Sequence, residues 1–214
     1  MTRNFIVVEG PIGVGKTTLA KKLAESFAYE LLLESADDNP FLEQFYQAPE
    51  LVAFQTQLFF LFQRAKQLQE IRQADLFRPV RVADFIMEKD RIFAQVTLND
   101  DEYKLYEQVY EYVTIDAPVP DLVIYLQAPA DILQKRVNKR DRSYERQLSM
   151  KYLDKLVEKY TDFFYNYTQS PLLIVNAAEI NFAENDDDYQ LLLEQINRIT
   201  TGRHYFNPTP ALAL

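Results

Sequence analysis

The stretch Gly10-Pro11-Ile12-Gly13-Val14-Gly15-Lys16-Thr17-Thr18 fits G-x-x-x-x-G-K-[ST] at every fixed position. Glycines at those places let backbone N–H groups turn inward around a polyphosphate, and a helix beginning near Lys16 aims its positive end at the same anion. Lys16 then offers a mobile charge to the terminal phosphates, and the Thr17 hydroxyl is a ligand for Mg²⁺. Three of the chain's four glycines fall in this loop, which marks a backbone shape that other residues adopt poorly. The motif also stands in the context it requires, after the apolar run Phe5-Ile6-Val7-Val8-Glu9 and before an amphipathic helical pattern. A strand-turn-helix without a ligand would leave the full pattern unexplained. Nucleoside triphosphate binding follows, but not the reaction that uses it.

Phosphoryl transfer needs, besides a phosphate cradle, a metal, a group that orients or deprotonates the acceptor, and cations for the transition-state charge. Asp84 follows the apolar run Val80-Arg81-Val82-Ala83 and is the natural second carboxylate for Mg²⁺ beside Thr17. The blander reading makes it the N-cap of a helix starting at Phe85. Glu34 ends the apolar run 29–33 and is the candidate base for an acceptor hydroxyl; a solvated carboxylate at a loop mouth is the alternative. Residues 135–146 gather six cations and two carboxylates in an otherwise acidic chain. Arg136 and Arg140 share a helix face and Arg142 follows in a connection, so a closing lid would bring guanidinium forks to phosphate oxygens. The alternative is a solvated charged face. Asn138-Lys139-Arg140-Asp141 matches N-K-x-D, but it lies beyond any strand and the chain has no D-x-x-G, so no GTPase switch is built here.

These groups have to be positioned by the elements between them. Strands are expected at 4–9, 29–33, 80–83, 121–127 and 171–176, and helices at 16–28, 41–46, 50–73, 85–97, 101–114, 130–139, 150–167 and 187–200. In the longest helix Leu51, Phe54, Leu58, Leu61, Ala65 and Leu68 recur three and four apart, with Phe59, Phe60 and Phe62 on a second stripe. A helix apolar on two sides is expected to face both the core and a second copy of the chain, giving a homodimer. Residues 202–214 read as an irregular tail. Short β-rich runs separated by helices make a doubly wound α/β fold: a five-stranded parallel sheet, helices on both faces, ligands at the C-terminal strand ends. Glu34 and Asp84 both fall at such ends.

Composition narrows the chemistry further. At 214 residues the chain suits one domain over 1–214, with the lid at about 138–148. The absence of cysteine excludes disulfides, thiolate metal sites and cysteine nucleophiles, and the single His204 removes histidine-based sites. A formal net charge of -9 argues against a nucleic-acid polymer as partner. No apolar run is long enough to span a bilayer and the first is too short for a signal peptide, so a cytoplasmic protein without membrane association is expected.

Taken together these pieces resemble the deoxyribonucleoside kinases, which phosphorylate the 5′-hydroxyl of a deoxynucleoside with ATP. The resemblance runs from Phe5 to about Tyr152 and implies a P-loop NTPase-like three-layer fold with an Arg-rich lid. Glu34 resembles the family's base, and Tyr46, in Tyr46-Gln47-Ala48-Pro49-Glu50, the tyrosine that holds the sugar 3′-hydroxyl. Phe54-Gln55-Thr56 resembles the helix element whose glutamine bonds the base edge, and Asp90, in Asp90-Arg91-Ile92-Phe93-Ala94, would face the base. Arg136, Arg140 and Arg142 are similar to the lid arginines, and Glu145 to the lid acid that also reaches the 3′-hydroxyl. Where the family commonly carries Glu-Arg-Ser or Asp-Arg-Ser this chain has Asp84-Phe85-Ile86, so Lys89 or Arg91 is expected to supply the missing cation. The pattern looks most like bacterial members and implies a purine deoxynucleoside, a small-molecule acceptor, and nucleotide salvage.

Two other readings share these motifs. A nucleoside monophosphate kinase such as a thymidylate kinase has the same loop, lid and fold, but needs cations for the acceptor's own phosphate, and Asp37, Asp38 and Glu43 make that region acidic. A nucleotide-binding regulatory protein without an acceptor would tolerate replacement of Glu34.

Overall fold

The structure, a computed structural model, describes residues 3–73, 81–114, 117–140, 142, 144–145 and 148–208, with residues 70–73 as backbone alone. The lid residues Asp141, Ser143 and Arg146, the approach to the third strand through Pro79 and Val80, Asp116, and residues 209–214 lie outside the described residues. In chain order the elements are β1 (Phe5–Glu9), α1 (Lys16–Phe27), β2 (Glu30–Leu32), α2 (Leu42–Gln47), α3 (Pro49–Gln73), β3 (Arg81–Ala83), α4 (Lys89–Thr97) and α5 (Asp100–Val113). Then follow β4 (Leu122–Gln127), α6 (Ala130–Arg140), α7 (Met150–Asn166), β5 (Leu172–Asn176), α8 (Asp186–Arg198) and β6 (Arg203–Phe206).

The strands form one parallel sheet in the order β2-β3-β1-β4-β5-β6. β1 reads as an unbroken apolar run because both its faces are covered. Ile6 and Val8 pack with Leu19 and Leu23 of α1 and Leu192 and Ile196 of α8 on one face. Phe5 and Val7 pack on the other, with Leu61 of α3, Ile92 of α4, Tyr106 of α5 and Leu156 and Tyr160 of α7. β4 alternates in the same way, Leu122, Ile124 and Leu126 against Val123 and Tyr125. From β1 the chain passes to the edge strand β2, returns to β3 between the two, and then crosses to the other side of β1 through β4, β5 and β6. The crevice between those two directions lies at the C-terminal ends of the strands, and the loop after β1 opens into it.

Three expectations are corrected. The sheet has six strands, because Arg203–Phe206, inside the stretch read as an irregular tail, pairs in parallel with β5 from Leu172↔Arg203 to Val175↔Phe206. The half-exposed run Arg203-His204-Tyr205-Phe206 gives no apolar signal, as befits a strand at the sheet edge, and its pairing becomes visible only in three dimensions. α4 starts at Lys89, not Phe85; the buried run Phe85-Ile86-Met87 is a turn whose apolar residues extend the helical pattern without being helical. Asp84 is therefore not the N-cap of that helix. In α3, Leu51 is 62% exposed, and the buried face carries Val52, Ala53, Leu61, Ala65 and Leu68 together with the polar residues Thr56, Gln57 and Arg64.

Candidate active site

The loop after β1 has the shape a polyphosphate needs. A Cβ on Gly10 would come within 2.3 Å of the Leu126 carbonyl oxygen, and Gly13 takes φ +83° where a Cβ would strike α6 at Leu133 and Val137. Only glycine lets the loop lie this close to β4 and α6. α1 begins at Lys16 with no side-chain cap and no acidic residue in its first turn, so its leading N–H groups remain available to an anion. The Lys16 ammonium donates to the carbonyls of Gly10 (2.7 Å) and Pro11 (3.1 Å). Burial lowers its pKa to about 7, with the nearby Lys89 charge pushing the same way. The lysine thus folds back on its own loop, poised to exchange two carbonyls for phosphate oxygens.

Asp84 ties three segments together. Its Oδ2 accepts from the Thr17 hydroxyl at 2.6 Å and its Oδ1 from the Glu34 backbone N–H at 2.8 Å. A hydroxyl and a carboxylate in contact are hard oxygen donors suited to Mg²⁺, an ion that keeps water and takes phosphate oxygens to complete its shell. Among the described residues no cluster of three or more His, Cys, Asp or Glu could hold a metal unaided. The donors fit an ion that arrives with a nucleotide.

Glu34 sits in a buried ionic chain. Its Oε1 accepts from Arg64, its Oε2 from Lys89, and Arg64 also donates to Asp90. Lys89 and Arg64 are each 3% exposed and Asp90 is fully buried, so the two carboxylates and two cations balance in low dielectric. Burial lowers the Lys89 pKa to about 8, and the Arg64 charge adds to the shift; burial raises that of Asp90, against the pull of Arg64. Among the described residues Arg64 Nε and Asp90 Oδ2 have no partner. Arg64 lines the adjoining cleft, so its unpaired N–H is one a bound ligand can satisfy.

A cleft of about 860 Å³, partly open to solvent, joins these parts. Lys16, Thr17 and Asp84 line its phosphate end, and Glu34 and Lys89 its middle. Tyr46, Gln57, Phe60, Arg64 and Phe93 line the rest of it. Arg140, Arg142, Tyr144 and Glu145 close it from the lid side. Arg140 donates to Glu145, whereas Arg142 donates to the Tyr144 hydroxyl at 2.8 Å and lies 3.5 Å from Asp37. Tyr144 stacks on Tyr46 at 5.5 Å, so this side of the cleft is joined to α2. Burial pushes the Tyr46 hydroxyl well above its ordinary pKa, which keeps it a neutral donor.

Of the residues singled out in the sequence, Ile12, Gly13, Lys16, Thr17, Glu34, Tyr46, Asp84, Arg140, Arg142 and Glu145 meet in this cleft. Gly10, Pro11, Val14 and Gly15 lie in the loop before α1 without lining the cleft, and Thr18 is exposed in the first turn of α1. Gln55 is exposed and Phe54 packs into the core, so the cleft takes Gln57, two positions on, and Phe60. Asp90 does not reach the cleft; it acts on it through Arg64. Arg136 is not a lid group here: it donates to the carbonyls of Val14 (3.2 Å) and Ala177 (2.7 Å) and braces the phosphate loop from outside. Of the two cations expected to replace the missing arginine, Lys89 reaches Glu34, while Arg91 turns away to Glu107. Arg64 was missed altogether. Its signal is a polar residue one helical heptad after Gln57 in an apolar helix, two turns along the same face.

The comparisons with known proteins agree with this geometry. The family described as deoxynucleoside kinase matches residues 6–201. Deoxyguanosine kinase of Bacillus subtilis (strain 168) is 33% identical over 204 residues, 92% of this chain and 98% of that protein. Deoxyadenosine kinase of Lactobacillus acidophilus is 29% identical over 206 residues, 90% of this chain and 94% of that protein. The structure of deoxyadenosine kinase from M. mycoides with bound dATP has a TM-score of 0.76 at 25% identity, covering 90% of this chain and 98% of that one. A cradle for a triphosphate, a carboxylate set where it meets an acceptor cleft, and a family match along nearly the whole length lead to one assignment: this chain belongs to the deoxynucleoside kinase family and is an enzyme that phosphorylates deoxynucleosides with ATP.

Proposed function

We propose that the acceptor is a purine deoxynucleoside, deoxyadenosine or deoxyguanosine, and that Glu34 accepts the proton of its 5′-hydroxyl. The observation that carries this reading is the Glu34 carboxylate held by Lys89 and Arg64 at the junction of phosphate loop and acceptor cleft. A carboxylate held by two cations is rigidly oriented, and phosphoryl transfer through a loose transition state asks chiefly for an oriented oxygen. The O5′–phosphorus bond forms as the bond from the γ-phosphorus to the bridging oxygen breaks, and the hydroxyl proton passes to Glu34 as ADP leaves. Lys16, Lys89 and the lid arginines Arg140 and Arg142 carry the developing charge. Thr17 and Asp84 would hold Mg²⁺, which supplies further neutralisation on the donor phosphates when bound.

Tyr46 and Glu145 are assigned to the sugar 3′-hydroxyl, and Gln57 with Arg64 to the base edge. The names of the Bacillus and Lactobacillus relatives support a purine. A homodimer is supported by Leu51 and Phe62 on α3 and Leu105 and Tyr112 on α5, large apolar side chains exposed on helices that pack side by side. One kinase domain over 1–214, working in the cytoplasm, completes the proposal. Among the described residues no helix is long and apolar enough to cross a membrane.

The test is Mg-ATP-dependent phosphorylation of the four deoxynucleosides and of thymidylate, with Lys16→Ala as the blank. Higher kcat/KM for deoxyadenosine or deoxyguanosine than for the pyrimidines is expected; a pyrimidine preference would overturn the acceptor assignment.

A further inference from the structure

Glu9 ends β1, is fully buried, and takes no part in the reaction just described. Its Oε1 accepts from the Gly10 N–H at 2.8 Å and from the Tyr160 hydroxyl at 3.0 Å, and its Oε2 from the Ile86 N–H at 3.1 Å. These donors come from three separate segments: the opening residue of the phosphate loop, the turn between Asp84 and Lys89, and α7. A packing role alone would be served by an apolar side chain, since a buried carboxylate is strongly disfavoured unless its hydrogen bonds are made. The acid is instead matched to its site by three donors, two of them backbone groups that would otherwise be buried without partners.

We propose that Glu9 is a positioning residue that locks the phosphate loop to the Asp84-to-Lys89 turn, and so sets Lys16 and Thr17 in register with Asp84 and Lys89. β1 and β3 are neighbours in the sheet, but their ladder stops at Val7↔Ala83, before the groups that must act together. Beyond that point the Glu9 side chain carries the connection. Its negative charge also draws on both Lys16 and Lys89 in the free enzyme. Tyr160 holds the carboxylate from below, and its ring is fixed by stacking on Tyr125 and edge contact with Phe93.

This inference rests on the kinase reading and is tested by Glu9→Gln. The amide keeps the size of the side chain, and its oxygen can still accept from Gly10 and Tyr160, but its NH₂ then faces the Ile86 N–H, donor against donor. A turn displaced by a fraction of an ångström is expected to lower kcat about 10- to 100-fold. The ATP dissociation constant, the acceptor KM and the cooperativity of melting should stay near wild type. A kcat within about threefold of wild type, or an equal loss in ATP affinity, overturns the proposal. Should the variant not fold, Tyr160→Phe keeps the carboxylate and removes one donor: a lower kcat at unchanged KM supports the lock, and a wild-type kcat overturns it. If wild-type protein itself transfers no phosphate, the kinase reading fails instead.

Discussion

In the proposed role Glu34 has to be correctly aimed before any acceptor arrives, and its two cationic neighbours, Arg64 and Lys89, hold its carboxylate in place. Replacing it with glutamine removes the proton acceptor while keeping its shape, so Glu34→Gln is expected to lower kcat by about 10²- to 10⁴-fold. ATP affinity, measured by calorimetry, should be unchanged. The two lysines give the free enzyme a characteristic pH response. Burial holds Lys16 near 7 and Lys89 near 8, so both lose charge as pH rises through that range in the empty site. Bound triphosphate favours their charged forms and moves both pKa values upward. Steady-state kinetics should therefore show kcat/KM for ATP falling between about pH 7 and 8 while kcat stays level over the same interval. Parallel decline of both parameters would show that the lysines do not recover their protons on binding.

Among the elements, α3 makes the sharpest distinction between adjacent residues. Gln57→Leu leaves the base edge unpaired at the cleft and should raise the acceptor KM about tenfold, the equivalent of 1.4 kcal/mol. Gln55→Leu, one half-turn away and exposed, should leave it unchanged. The same helix shows what could be read from the sequence and what could not. The phosphate loop was fully legible, because its chemistry fixes residue types at fixed spacing along one segment. Glu34 and Asp84 were legible as strand ends, since a parallel sheet gathers such residues whatever their sequence separation. Of the proposed acceptor wall, Tyr46 and Glu145 were reached through the family resemblance, but the part on α3 was not. Period counting selects apolar residues, and the face of α3 that matters carries Thr56, Gln57 and Arg64, polar groups buried against a cavity. β6 escaped for a related reason: an edge strand with one open face carries no apolar run, and its pairing depends on β5, about thirty residues earlier in the chain.

For the whole molecule, the exposed apolar residues of α3 and α5 predict a dimer of about 50 kDa, twice the 25.1 kDa chain, in sedimentation velocity. Phe62→Glu on α3 should shift the protein to the monomer; a wild-type monomer would refute the assigned face. The strand order has an implication for how the molecule is made. β1 lies between β3 and β4, so the earliest of these six strands to be synthesised is flanked by partners that do not yet exist. At about 5 to 20 residues per second, roughly 6 to 23 s separate completion of β1 from the start of β4. Phe5-Ile6-Val7-Val8 lacks its β3 neighbour for roughly the first 4 to 14 s of that interval and its β4 neighbour for all of it, and the segment most strictly specified for chemistry is the one a nascent chain must shield longest. Chaperone demand during synthesis is thus tied to the central placement of the nucleotide loop, and any circular permutation that moved β1 after β3 would shorten the wait while leaving the finished site intact.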